Sequence, residues 1–163
     1  MDDIWQDALR YNRWANVKLL DSCARLKPAQ LELTSPGTYG TIAATFAHIV
    51  GAEQRYLRRL AGTTPTFSEK DPFPGIAALR ELAGHSGDAL LEAAGRLQPH
   101  DATQVDFDGE MAQMRKSLIV VQAIHHGNDH RTHICTILGS HSVPFDDIQV
   151  WSYALELHKG AAV

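Results

Sequence analysis

Residues 117–139, SLIVVQAIHHGNDHRTHICTILG, form the segment that most strongly determines the predicted fold. Its apolar character and the glycine at position 139 predict a helix of about 20 residues that ends there. It is the most apolar helix predicted for the chain, so we expect it to pack against other helices. The segment also contains four histidines, at positions 125, 126, 130 and 133.

Three earlier segments show the apolar spacing of amphipathic helices. They cover residues 3–26, residues 41–60 and about residues 75–97, with apolar side chains recurring at steps of three and four residues. Gly84 and Gly87 weaken the third of these helices by up to about 1 kcal/mol each, so its middle is expected to bend. The chain therefore contains four helices long enough to form a bundle.

The remaining segments predict a connection, a hairpin and a short final helix. Residues 62–75, GTTPTFSEKDPFPG, are rich in proline, glycine and polar residues and predict a long surface connection that can carry function. Alternation over residues 105–114, broken by Asp108-Gly109, predicts a small β-hairpin. The fold class expected is all-α: a four-helix bundle with a small β-hairpin and a short C-terminal helix around residues 151–155.

Length and composition limit the classes of function. The 163 residues fit a single domain, 1–163, and the formal net charge of −4 with scattered lysines and arginines argues against nucleic-acid binding. No apolar run reaches the roughly 18 residues of a membrane span, and the first residues lack a basic and apolar leader pattern. Cys23 and Cys135 lie in apolar helical stretches and predict buried thiols in a reducing compartment. We therefore expect a cytoplasmic protein with no membrane partner.

Two histidines of the fourth helix have the spacing of metal ligands. His126 and His130 project within about 40° of each other and lie about 6 Å apart along the helix axis. The zinc-protease motif is not present, because the residues between them include no glutamate. A catalytic zinc site usually has a third protein ligand. The best candidate is His48 in the second helix, about 120° from the centre of the apolar stripe, where it can face a neighbouring helix.

The other histidines are expected to lie outside the ligand set. His133 shares the stripe of His126, but it is about 10 Å away along the helix axis. His125 points toward Asp129 on the next turn, which favours a hydrogen-bonded or surface role. Solvent exposure is expected for His85, His100, His141 and His158.

Four pieces of the sequence together resemble the DinB-like, or YfiT-like, metalloenzyme superfamily. They are YNRWANVKLL in the first helix, TIAATFAHIVGAEQRYLRRLAG in the second, HHGNDHRTHICTILG in the fourth, and a late Asp-rich segment leading to Trp151. The resemblance implies an up-down-down-up bundle. It also implies a divalent ion, zinc or nickel, held by His48, His126 and His130, with solvent completing the shell.

The resemblance carries further expectations and one departure. Thr132 and His133 stand where the family commonly has Gly-Gln, which affects the surroundings of the ion. A homodimer is implied, and Trp5 and Trp14 on the flanks of the first helix could supply its contact area. Neither tryptophan can be distinguished from a core residue by sequence.

Three residues near the ligands allow two readings each. Asn128 and Asp129 either orient the ligand imidazoles or belong to a solvated helix face. Arg131 either binds a substrate anion or forms a salt bridge across the bundle, and we favour the salt bridge.

Three functions are compatible with such a site. The resemblance implies a transferase that joins a low-molecular-weight thiol, such as mycothiol or bacillithiol, to an electrophilic small molecule. A metal-dependent hydrolase of amides or esters is the alternative, with Glu53 or Asp129 as the base. The third is a stress-related metal-binding bundle without turnover.

Overall fold

The computed structural model of the protein describes residues 4–160, so the predicted helix start at residue 3 lies outside the described residues. The helices and strands, in chain order, are α1 (Ile4–Cys23), α2 (Pro28–Leu31), α3 (Ile42–Ala61), α4 (Ile76–Gly95), β1 (Ala102–Phe107), β2 (Glu110–Arg115), α5 (Lys116–Ser140) and α6 (Val150–Gly160). The four long helices match the predicted ones to within three residues at each described end. The short α2 was not predicted.

The four long helices form an up-down-down-up bundle. Both α1 and α3 pack against α4 and α5, so the order around the bundle is α1, α4, α3, α5. The Lys116 Nζ at the start of α5 donates to the Leu60 carbonyl near the end of α3, so these two helices run antiparallel. The Gln6 Nε2 at the start of α1 likewise donates to the Leu91 carbonyl near the end of α4, so these two helices are also antiparallel. Residues 62–75 run back along α3, passing over Gly51, so that α4 begins at the same end of the bundle as α3 and runs parallel to it.

Helix ends follow local chemistry. The Thr41 hydroxyl accepts a hydrogen bond from the Ala44 N–H at 3.1 Å, which caps α3 at its N-terminus. Gly62 ends the same helix in the left-handed conformation, with φ of 72°. Pro28 begins the unpredicted α2, a position that suits proline because the first helical turn leaves its N–H groups unbonded.

The glycines of α4 allow close packing against α1. The helix is continuous over Ile76–Gly95, so no interruption occurs at Gly84 or Gly87. A Cβ placed on Gly87 would lie 2.5 Å from the Arg13 Cγ, which shows that the Arg13 stem occupies the space a side chain would need. The helix propensity lost at this glycine is therefore offset by a close approach of two helices.

The β-hairpin agrees with its prediction and is somewhat longer. Phe107 pairs with Glu110, leaving a two-residue loop. Both loop residues have positive φ, 53° at Asp108 and 97° at Gly109, as a type I′ turn requires. The hairpin packs beside the start of α5 and, with Val105, reaches the interior.

The helix α6 covers part of α1. The Tyr153 ring lies 5.2 Å from the Trp14 ring, and the Trp14 Nε1 donates to Glu156 at 2.9 Å. Trp14 therefore packs against α6 within the chain and is only partly exposed. Trp5 is 46% exposed. No helix among residues 4–160 is both long and apolar enough to cross a membrane.

A buried polar layer divides the core into two apolar clusters. On α1, for example, Leu9 belongs to one cluster and Leu19 to the other. The polar side chains between the clusters are Asn12, Asn16, Glu53, Ser86 and Arg131, none more than 2% exposed. Each of the four long helices contributes at least one residue to this layer.

Two asparagines connect the buried arginine to the buried carboxylate. The Arg131 Nη1 donates to the Oδ1 atoms of Asn12 and Asn16, at 2.7 Å each. Their amide groups donate to the Glu53 Oε1 at 3.2 and 2.8 Å, and the Ser86 hydroxyl donates to Oε2. Burial raises the pKa of Glu53 to about 7, although the Ser86 hydrogen bond and the Arg131 charge act in the opposite direction. The layer thus links all four helices through one hydrogen-bonded network.

Gly127 and the two cysteines also lie in or beside this interior. A Cβ on Gly127 would lie 2.4 Å from the Asn12 Oδ1, so glycine is needed where α5 passes the polar layer. Cys23 is buried and Cys135 is partly buried, both as free thiols, as the sequence predicted. Burial raises their pKa values to about 12 and about 11, so both thiols are protonated at neutral pH.

Candidate metal centre

Three histidines from two helices converge at the surface between α3 and α5. His48 comes from α3, and His126 and His130 come from successive turns of α5. One nitrogen of each ring lies within 4.8 Å of the others, and the Nε2 atoms of His48 and His126 are 2.9 Å apart. The structure therefore brings together the same three residues that the sequence selected as candidate ligands.

The geometry of this cluster fits a divalent ion. Two imidazole nitrogens bound to one ion at about 2.1 Å lie roughly 3.0–3.4 Å apart, close to the distance between His48 and His126. The His130 Nδ1 is buried without a hydrogen-bond partner among the described residues. Neutral imidazoles in this arrangement are typical ligands of zinc and nickel.

Burial keeps two of the histidines uncharged. It lowers the pKa of His126 to about 3 and that of His130 to about 4, and the neighbouring His48 contributes to both shifts. Above these values the rings are neutral, which is the form that binds a metal ion. The site is therefore ready to bind an ion at neutral pH without first losing protons from these two residues.

The same pKa shifts predict how the metal-free protein responds to acid. Unfolded His126 and His130 have the ordinary pKa of about 6.5, so between pH 6.5 and about 3 the unfolded state binds more protons. Their contribution to stability is complete above pH 6.5 and is lost as the pH falls. We expect the free energy of unfolding, measured with urea in the presence of a chelator, to fall over this range.

The control for this prediction is the double variant His126→Gln/His130→Gln. Glu53, with its raised pKa, acts in the opposite direction and lowers stability as the pH rises from about 4.5 to about 7. Both proteins contain Glu53, so the difference between their two pH profiles reports the contribution of His126 and His130. Identical pH profiles for the two proteins would contradict the assignment.

A carboxylate and a phenol from two loops contact His48. The Glu69 Oε2 lies 2.6 Å from the His48 Nδ1 and accepts its proton, which leaves Nε2 as the free donor atom. The Tyr39 hydroxyl is 3.0 Å from the same Nδ1, and its ring stacks on the imidazole at 4.2 Å. Burial raises the pKa of Glu69, but hydrogen bonds from His48 and Arg55 outweigh this effect and lower it.

The connection 62–75 holds Glu69 in place by several contacts with α3. The Thr66 N–H donates to the Gln54 side chain at 3.1 Å, and Phe67 is buried in the core. A Cβ on Gly51 would lie 2.9 Å from the Glu69 nitrogen, so the connection passes directly over this glycine. The Arg55 guanidinium pairs with the Glu69 carboxylate at 3.1 Å. This connection was predicted only as a surface loop, and no periodic pattern marks Glu69 in the sequence.

Replacing Glu69 with glutamine is expected to weaken metal binding about 10- to 100-fold, because His48 loses the carboxylate that fixes the orientation and tautomer of its ring. The measurement is a competition titration against a chromophoric chelator. Glu81→Gln is the matched control, since Glu81 is exposed on α4. Arg55→Gln removes the contact between Arg55 and Glu69 and leaves the contact between Glu69 and His48. If this variant weakens metal binding as much as Glu69→Gln does, Glu69 acts by holding the connection 62–75 in place and not by orienting His48.

The residues that flank the candidate ligands His126 and His130 on α5 have other partners. His125 and Asp129 form an exposed pair at 3.2 Å, as expected from their spacing. The Asn128 carbonyl accepts a hydrogen bond from the Thr132 hydroxyl. Neither Asn128 nor Asp129 hydrogen-bonds a ligand imidazole, so the structure favours the solvated-face reading for both. His133 lies beside the cluster, with its ring edge-on to that of His130 at 5.3 Å.

Two charged residues that the sequence suggested as a base or an anion-binding group lie away from the histidine cluster. Glu53 is 2% exposed and hydrogen-bonded within the polar layer, so its suggested role as a base acting on substrate is not supported. Arg131 is 1% exposed, which excludes contact with a substrate anion in this conformation. Arg131 reaches across the bundle, as expected, but its hydrogen bonds are to the asparagines of the polar layer and not directly to a carboxylate. The four histidines expected to be exposed, His85, His100, His141 and His158, are exposed.

Comparison with known proteins extends these observations. A family model described as DinB family matches residues 1–150. The crystal structure of a DinB-like protein from Bacillus cereus ATCC 10987 aligns with a TM-score of 0.69 at 20% sequence identity, covering 89% of this chain and 95% of that chain. At this identity the alignment shows a shared fold. A search among curated proteins finds no match.

Proposed function

The chain belongs to the DinB family, and from this membership and its three-histidine cluster we propose that it is a divalent-metal-dependent enzyme. The proposed ligands are His48, His126 and His130, and the proposed ion is zinc or nickel. The reaction proposed is transfer of a low-molecular-weight thiol to an electrophilic small molecule. The observation that carries the proposal is the convergence of three imidazoles on one point between α3 and α5.

A neutral ligand set determines the chemistry available. When bound, an ion with three imidazole ligands retains its full positive charge and lowers the pKa of a thiol or water molecule that joins it. The chain's own residues hold the ligand rings in place. Glu69 fixes His48 through its Nδ1–H, and Tyr39 covers one face of that ring.

The surrounding carboxylates favour thiol transfer over hydrolysis. Hydrolysis generally needs a base to take a proton from water, and the nearby acids have other partners. Asp129 pairs with His125, and Glu69 is shared between His48 and Arg55. A thiol, with an ordinary pKa near 8.5, ionises much more easily than water and can react without such a base.

The test compares two kinds of assay on the metal-loaded protein. Bacterial thiols such as mycothiol and bacillithiol are supplied with chlorodinitrobenzene, and a panel of esters is supplied without thiol. We expect thiol conjugation that requires the metal and is absent from His126→Ala. Ester hydrolysis alone would replace the proposal with the hydrolase, and inactivity in both assays would favour a metal-binding bundle without turnover.

We further propose a homodimer acting in the cytoplasm, as the family resemblance implies. Trp5 on α1 and the outward-facing Val150, Trp151 and Leu155 on α6 are large exposed apolar side chains that suit such a contact. Light scattering coupled to size-exclusion chromatography gives the mass directly. A monomer of 18.0 kDa at all concentrations would contradict the dimer.

A further inference from the structure

An apolar pocket lies between the hairpin and the helices α3 and α5. We call it the hairpin pocket; its walls include Tyr56, Phe107, Met114, Leu118 and Gln122, with Arg59 also lining it. Its volume of about 620 Å³ is within the range of small-molecule sites, roughly 300–1,000 Å³. Phe107 is 49% exposed and Leu118 is 46% exposed, so the pocket has apolar walls that open to solvent.

The hairpin pocket adjoins the histidine cluster along the same groove. Gln122 precedes His126 by one turn of α5, a rise of about 6 Å. The Tyr56 ring lines the pocket and meets the His126 ring edge-on, with centroids 5.9 Å apart. The Tyr56 ring therefore lies between the hairpin pocket and the cluster, so a small molecule seated in the pocket would lie close to the cluster.

The pocket is lined by one carboxylate, Asp106, and by one guanidinium, Arg59, that can pair with an anionic ligand. The Asp106 carboxylate accepts a hydrogen bond from the Gly109 N–H at 2.6 Å, and His125 pairs with Asp129. Arg59 is partly exposed and forms no ion pair with any residue in the range 4–160. Its guanidinium is therefore the cation of this pocket that remains available to a ligand acid.

We propose that the hairpin pocket binds the apolar part of the electrophilic substrate, and that Arg59 contacts an acidic group on it. The substrate class is thus an amphipathic molecule with an aromatic or aliphatic body and a carboxylate or similar anion. Calling this ligand a substrate rests on the proposed function, but binding in the hairpin pocket does not require the metal. Its test therefore uses metal-free protein.

The test uses two fluorescent probes that differ in charge. Anilinonaphthalene sulfonate has an aromatic body and an anionic group, and phenylnaphthylamine is its neutral counterpart. Both are titrated into chelator-treated protein, and their dissociation constants are measured by fluorescence. Arg59→Gln is compared with Arg58→Gln, because Arg58 is the adjacent, exposed arginine of α3 and does not line the pocket. Phe107→Ala is compared with Phe73→Ala, since Phe73 is similarly exposed, at 41%, and also lies outside the pocket.

Arg59→Gln is expected to weaken the sulfonate probe about fivefold and leave the neutral probe unchanged. Phe107→Ala is expected to weaken both probes by about fivefold. Equal sulfonate affinity in the two arginine variants, or equal affinities in the two phenylalanine variants, would overturn the proposal. Metal binding and thiol conjugation are measured separately. If the protein shows neither, the proposed enzyme function is refuted, but the probe affinities of the pocket variants are unaffected.

Discussion

Replacing His126 with alanine is expected to reduce the metal affinity about a hundredfold or more, so that the purified variant contains almost no ion. The variant retains His48 and His130, and two imidazoles from different helices hold a divalent ion much less tightly than three. Metal content is measured by mass spectrometry on protein purified without a nickel resin. The protein is loaded with zinc or nickel beforehand, and excess ion is removed by gel filtration.

The matched control is His85→Ala, because His85 is an exposed histidine of α4 outside the cluster. It should retain the metal content of the unmodified protein. His126 is only partly buried and belongs to neither apolar cluster, so we expect far-ultraviolet circular dichroism of both variants to remain helical. Equal metal content in the two variants would remove His126 from the site.

Replacing Arg131 with methionine is expected to destabilise the fold by about 3–5 kcal/mol. Arg131 is the only cation of the polar layer among residues 4–160. Without it, Glu53, whose pKa is already raised to about 7, either remains an unpaired buried carboxylate or takes up a proton, and both cost free energy. Asn12 and Asn16 also lose the donor that holds their oxygens. Urea unfolding followed by circular dichroism measures the change in the free energy of unfolding.

A second substitution tests whether charge is the cause. Adding Glu53→Gln to Arg131→Met removes the uncompensated carboxylate, so the double variant is expected to be more stable than Arg131→Met alone. Arg58→Met is the control for an exposed arginine and should change stability by no more than about 0.5 kcal/mol. If the two core substitutions destabilise additively, the charges of Glu53 and Arg131 are not coupled.

Local periodicity is sufficient to predict the helices and the three converging histidines. A one-turn spacing places His126 and His130 on one face, and His48 lies at the flank of the apolar stripe of α3. The hairpin turn is equally local, because Asp108-Gly109 suits the positive φ angles found there. These features depend on the order of residues within one element, which the sequence displays directly.

The outer contacts of the site and the polar layer depend on residues far apart in the chain. Glu69 reaches His48 from a segment without a repeating pattern, so its role follows only from the path of the connection. Asn12 and Asn16 were not part of the apolar stripe predicted for α1, yet both are buried. Their burial is intelligible only together with Arg131, more than a hundred residues later. Sequence spacing within one helix does not contain such information.

The dependence of His48 on the connection 62–75 has a consequence for evolution. The bundle supplies the three imidazoles, but the acid that orients one of them belongs to a segment outside the four long helices. Insertions and substitutions in such segments are tolerated more readily than changes in a packed helix. Natural variation in this segment is therefore expected to adjust how tightly the proposed ion is retained, and so the metal concentration at which the protein would be loaded, while the interior stays the same.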